Sequence, residues 1–107
     1  MLLAELIREQ VLNRTRDEIP HSVEVKIGEV SARKDGLHMV TAEIWAESES
    51  QKGILIGAGG AKVREIGTAA RRELERELGG RVHLDLTVRV RRRWRRDEGL
   101  LDRLGID

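Results

Sequence analysis

The 107-residue chain contains no cysteine, phenylalanine or tyrosine, and only one proline. Without cysteine there is no disulfide framework, no thiolate nucleophile and no cysteine zinc site. The aromatic set is Trp45 and Trp94, too sparse for a sheet that reads bases by stacking, as an RRM does. No apolar run is long enough to span a bilayer as a helix, and no signal peptide is visible, so the expected setting is cytoplasmic with no integral membrane segment. His21, His38 and His83 are scattered, with no pair at ligand spacing, so neither a metal site nor a cofactor is expected. The carboxylates lie mainly beside Arg or Lys, where ion pairing and solvation are the ordinary roles. These absences argue against an enzyme.

Charge is present in abundance. Charged residues make up 36% of the chain, yet the formal net charge is only +1. The small net value hides segregation, with Arg89, Arg91, Arg92, Arg93, Arg95 and Arg96 crowding the C-terminal region and Glu43, Glu47 and Glu49 the middle. A basic face matters more for nucleic acid than the sum does. Taken alone, the arginine run reads as a solvated strand end, and beside a groove it would add salt-sensitive phosphate attraction. Trp94 is read as covering the sheet edge.

Periodicity supplies the elements. Leu3, Leu6, Ile7 and Val11 recur at helical spacing, predicting a helix over 2–12 that ends before Ile19-Pro20. Val23, Val25 and Ile27 alternate with polar residues as in a half-buried strand. Asp35-Gly36 signals a tight hairpin with positive φ at both turn positions, leading into a strand over 37–47. On that strand Val40, Ala42, Ile44 and Ala46 share one face. Ser48 and Gln51 read as a capping box opening a short helix through Ile56. Gly57, Gly59 and Gly60 break it, and a second helix runs from Ala61 to Leu78 with Val63, Ile66, Gly67, Ala70, Leu74 and Leu78 on one stripe. Gly79-Gly80 stops it, and Val82 to Arg91 alternates as a last strand. Asp97 would cap a final turn through Leu100, Leu101 and Leu104. The order α-β-β-α-GXXG-α-β, with a hairpin and a right-handed crossover, predicts an α+β fold. A mixed three-stranded sheet carries its helices on one face.

The stretch from Ile54 to Val63 is the candidate site. A Gly-X-X-Gly can be a plain helix–helix corner. A Walker loop is excluded, because Lys62 is followed by Val63 and the preceding segment reads as helix, and the dinucleotide pattern does not fit either. The helix–GXXG–helix context favours a clamp for a single-stranded backbone. Lys62 and Arg64 would meet phosphates, with Lys52 on the other helix, and Ile44, Ile54, Ile56 and Val63 are the apolar candidates for a groove floor.

Several runs together carry a family resemblance: Glu18-Ile19-Pro20-His21-Ser22-Val23, Glu49-Ser50-Gln51-Lys52-Gly53-Ile54, Ile56-Gly57 with Gly59-Gly60-Ala61, Ile66-Gly67-Thr68-Ala69-Ala70-Arg71, and Val88-Arg89-Val90 followed by Trp94-Arg95. Over nearly its whole length the chain resembles the C-terminal type II KH domain of the bacterial Era-type GTPases. The resemblance implies a single KH domain over 1–107, with a linker helix at 1–16, a core at 22–91 and a basic extension at 92–107. It implies a noncatalytic module excised from a GTPase, since GTPase motifs are absent. Its implied partners are single-stranded RNA at the 3′ end of small-subunit ribosomal RNA, the small ribosomal subunit and the parent's GTPase domain. The implied location is cytoplasmic, with peripheral contact of the parent at the inner face of the cell membrane. The groove would lie between the GXXG helices and the second strand, with contacts from Ile44, Ile54, Gly57, Ala58, Gly59, Gly60, Lys62 and Arg64. Where the family usually has lysine this chain has Ala58, removing one phosphate contact. Alternative readings are a KH domain of another ribosome-associated factor, or a protein-docking or self-associating module that uses the apolar stripe of the first helix.

Overall fold

The computed structural model describes residues 2–15 and 23–91. The Ile19-Pro20 break, the final turn after Asp97, and Arg92, Arg93, Trp94, Arg95 and Arg96 lie outside the described residues. The elements are α1 (Leu2–Thr15), β1 (Glu24–Ala32), β2 (His38–Ala46), α2 (Glu49–Ile56), α3 (Ala61–Leu78) and β3 (Val82–Val90), with a single 3-10 turn at Ala58–Gly60 between α2 and α3.

The sheet order is β1-β2-β3. β1 pairs antiparallel with β2, and β2 pairs parallel with β3 in unbroken register from His38–Val82 to Ala46–Val90. This is the expected mixed α+β architecture. Parallel neighbours need a long crossover, and α2, the turn and α3 supply it.

The inner sheet face makes the core with the helices. Ile44, Ala46 and Val88 close around Leu55 of α2, Val11 of α1 and Ile66 of α3. Val40, Ala42 and Val82 close around Ile7, Ala70 and Leu74. Thus α3 takes part in both clusters along one stripe at helical spacing, and Ile66, Ala70 and Leu74 have no exposed surface.

Helix α1 runs through Asn13, Arg14 and Thr15, inside the linker helix expected at 1–16; Thr15 is buried, its Oγ1 donating to the Val11 carbonyl at 2.9 Å. Two details differ from the sequence reading. Strand β1 runs on to Ala32 through a bulge between Ile27 and Val30. There the Glu29 amide donates to Thr41 Oγ1 at 2.7 Å, and a Cβ on Gly28 would lie 2.6 Å from that oxygen. The hairpin loop holds three residues, 34–36, rather than the tightest two: Arg33 N–H donates to Leu37 O at 2.8 Å, and Gly36 has φ +87°. A turn closing on a left-handed glycine is the usual geometry at that loop length.

Helix α3 is tied to β3 by one carboxylate. Glu75 Oε2 accepts from Arg71 Nη1 at 3.0 Å and from the Val82 amide at 3.1 Å. The Val82 amide first, and then Arg71, hold its pKa below the usual carboxylate range against an opposing effect of desolvation. A depressed folded pKa stabilises the fold above the unfolded glutamate value, about 4.3, and the contribution is lost as pH falls through the folded value.

Leu74→Ala should therefore destabilise the domain by about 2–5 kcal/mol in urea denaturation. Glu75→Gln should lower stability at pH 7, and its deficit relative to wild type should shrink as denaturation is repeated at progressively lower pH, through the folded value of the Glu75 carboxyl.

Candidate nucleic-acid interface

The N-terminus of α2 is capped as expected at Ser48, whose Oγ accepts from the Gln51 amide at 3.2 Å. The return bond differs: Gln51 Oε1 accepts from the Glu47 amide rather than from Ser48. The helix ends at Gly57, whose N–H bonds the Gly53 carbonyl at 2.9 Å. Gly57 has φ +74° and ψ 173°, a region essentially reserved for glycine. A Cβ there would also lie 2.7 Å from Lys62 Cβ and 2.8 Å from Lys62 N. Both conformation and space therefore demand glycine at 57. Gly59 and Gly60 also have positive φ, but neither would press a Cβ against backbone.

The turn presents Ala58 and Gly59 to solvent, with Gly57 and Gly60 half-buried. Helix α3 starts at Gly60 without a side-chain cap. Its positive end is left open beside the turn.

The expected cations are placed less freely than their positions suggest. Lys62 is half-buried, and its Nζ donates to the Arg14 carbonyl at 3.1 Å, capping the end of α1. Arg14 Nε in turn lies 3.2 Å from Glu65 Oε2. Arg64 is exposed and donates from Nη1 to the Gly59 carbonyl at 2.9 Å, bracing the turn from outside. Lys52 has no ion-pair partner among the described residues.

Among the apolar candidates, Ile54, Ile56 and Val63 are half-buried against the core. Ile44 is withdrawn: it is fully buried beneath α2 and α3 and has no surface to offer a ligand. The second strand cannot bound a groove either, since β2 is central and its inner face is buried. The sheet's free edge beside α2 is β3. Arg89 and Arg91 turn to the outer sheet face. Arg89 Nε donates to Glu43 Oε2 at 2.6 Å, Trp45 Nε1 donates to Glu43 Oε1 at 2.9 Å, and the Arg91 guanidinium sits 5.4 Å from the Trp45 ring centre. The described part of the arginine run thus serves the face away from the helices.

One residue of the matching runs was given no role in the site. Gly53 stands inside α2, exposed, and a Cβ there would meet nothing within 4 Å. Among the described residues, no packing contact requires glycine at this position. Gly53 lies one helical turn before Gly57, on a side of α2 where a Cβ would stand in open space. A glycine inside a helix window was the signal that could have found it.

Gly57→Ala should cost roughly 1–3 kcal/mol and move the amide resonances of residues 57–64, whereas Gly59→Asn, in a left-handed position that asparagine tolerates, should leave stability nearly unchanged.

The KH domain family model matches residues 18–95. GTPase Era of Mycobacterium tuberculosis (strain H37Rv) is 54% identical over 107 residues, covering 98% of this chain and 36% of that protein. GTPase Era of Mycolicibacterium smegmatis is 52% identical with the same coverage. The chain spans about a third of the length of these relatives. A crystal structure of Era in complex with MgGDPNP and nucleotides 1506–1542 of 16S ribosomal RNA aligns over 98% of this chain and 35% of that one, with TM-score 0.83 and 38% identity. Aquifex aeolicus Era bound to GDP·AlF4− aligns with TM-score 0.82 and 38% identity, over 98% of this chain and 36% of that one.

Proposed function

This chain belongs to the KH domain family, and from that premise we propose that it binds single-stranded RNA across the glycine turn, at the 3′ end of small-subunit ribosomal RNA. The observation that carries the reading is the exposed Gly53, where a Cβ would stand in open space one helical turn before Gly57 and the exposed Ala58-Gly59 turn. A side chain at 53 would raise helix propensity by removing the freedom of glycine, so its absence is explained by close approach of a partner. KH domains clamp about four backbone nucleotides at such a loop. The Era structure that holds 16S nucleotides 1506–1542 supports the choice of RNA.

The proposed contacts are the turn Gly57, Ala58, Gly59 and Gly60, with Lys52, Ile54 and Arg64 around it, and β3 as the sheet edge beside the groove. Lys62 joins them only by giving up its bond to α1. With Ala58 in place of lysine, phosphate attraction rests on fewer cations, and the salt slope is shallower by about one charge. Residues 2–15 form the helix that leads into this core in our proposed division of the chain. Our proposal for the whole protein is a GTPase of the Era type acting in small-subunit assembly, with its GTPase domain beside α1. Leu2, 54% exposed on α1, favours a docked partner on that helix. The proposed location is the cytoplasm.

Gly53→Ala separates the two properties of the site. It should stabilise the domain by roughly 0.5–1 kcal/mol, yet weaken a single-stranded RNA carrying the 16S 3′-terminal sequence by tenfold or more in fluorescence anisotropy. Unchanged RNA affinity in the stabilised variant would remove the reading.

A further inference from the structure

The C-terminal end of α3 carries a second concave surface. Arg72, Glu75, Arg76, Gly80 and Arg81 line an open hollow of about 510 Å³ where α3 turns into β3. It lies an α3 length from the glycine turn; the helix has 18 residues, about 27 Å at 1.5 Å per residue.

The charges of this hollow are unevenly committed. Its carboxylate, Glu75, is already held by Arg71 and the Val82 amide. Arg76 pairs with Glu73. Among the described residues, the exposed Arg72 and Arg81 guanidinia have neither an ion pair nor a hydrogen bond. The glycine turn is the reverse case, since Lys62 and Arg64 both donate to backbone carbonyls. Arg72 attracts Glu75 and Arg81 attracts Asp35 only from beyond ion-pair distance, and guanidinia that line a hollow in this way suit phosphate oxygens, which arginine binds in bidentate fashion.

We propose that Arg72 and Arg81 form a second phosphate-binding surface, which takes the backbone of RNA lying outside the groove at the glycine turn. This rests on the RNA-binding reading above and extends it. A groove for about four nucleotides leaves the rest of a longer strand without contacts, and a strand following α3 reaches the hollow at the helix end. The groove then fixes which nucleotides are held, and the hollow adds salt-sensitive affinity that is indifferent to sequence.

The test uses the full chain, an RNA of about five nucleotides that fills the groove alone, and the 16S segment 1506–1542. Both substituted side chains are exposed, so the Arg72→Gln/Arg81→Gln variant should keep the wild-type circular dichroism spectrum. The expected result is unchanged affinity for the short RNA, about tenfold or greater loss for the long one, and a salt slope for the long RNA lower by about 1.4. Equal affinities of variant and wild type for the long RNA would overturn the proposal, as would equal losses for both RNAs. Arginine-dependent binding to vesicles containing anionic phospholipid, with long-RNA affinity unchanged, would assign the hollow to a membrane and overturn it too. Failure of wild type to bind the short RNA would instead strike the groove reading itself.

Discussion

Burial of the α3 stripe is the interaction on which the rest of this fold depends. Ile66 closes one core cluster and Ala70 and Leu74 the other, so this single helix joins both ends of the inner sheet face. A parallel β2–β3 pair cannot form without a crossover, and the crossover stays seated because this stripe leaves water. The same seating sets where α3 begins, and so where the glycine turn stands. The site is an outcome of core packing: the side chains that place the turn are out of reach of any ligand. Ile44 is the plainest case. It looked like groove floor and is instead the core on which the groove helices rest.

The electrostatics follow a different logic from the simple placing of positive residues near a loop. The turn's own cations are occupied with backbone carbonyls, Lys62 at the end of α1 and Arg64 on Gly59. Hydrogen bonds between a charged donor and an acceptor hold more strongly than neutral ones, so these side chains stiffen the turn and dock α1 beside it. Among the described residues, the cations left without an ion pair, such as Lys52, are the ones free to meet an anion.

Much of this was legible in the sequence because the signals were local. Alternation on β2 and β3, the stripe on α3, the Ser48 cap and the stop at Gly79 each depend on spacing within one element. What was missed depended on partners distant in sequence. The docking of α1 on α3, where Lys62 and Glu65 meet Arg14, leaves no signature in local spacing. The bulge in β1 needs Thr41 from the neighbouring strand. The partners of Lys62 and Arg64 could not be read from their spacing, nor could the outward turn of Arg89 onto Glu43. Gly53 was visible and passed over, because a glycine inside a helix signals only weakly until the space around it is known.

The geometry of Gly57 bears on how this loop can change over generations. No single-base change in a glycine codon yields another amino acid without a Cβ, and at this position any Cβ meets Lys62. Position 57 therefore has only costly neighbours in the genetic code. The next residue is solvent-exposed and is not glycine, so nothing in the turn holds it to one identity. Variation is channelled into position 58, whose side chain meets solvent and can change while the turn keeps its shape.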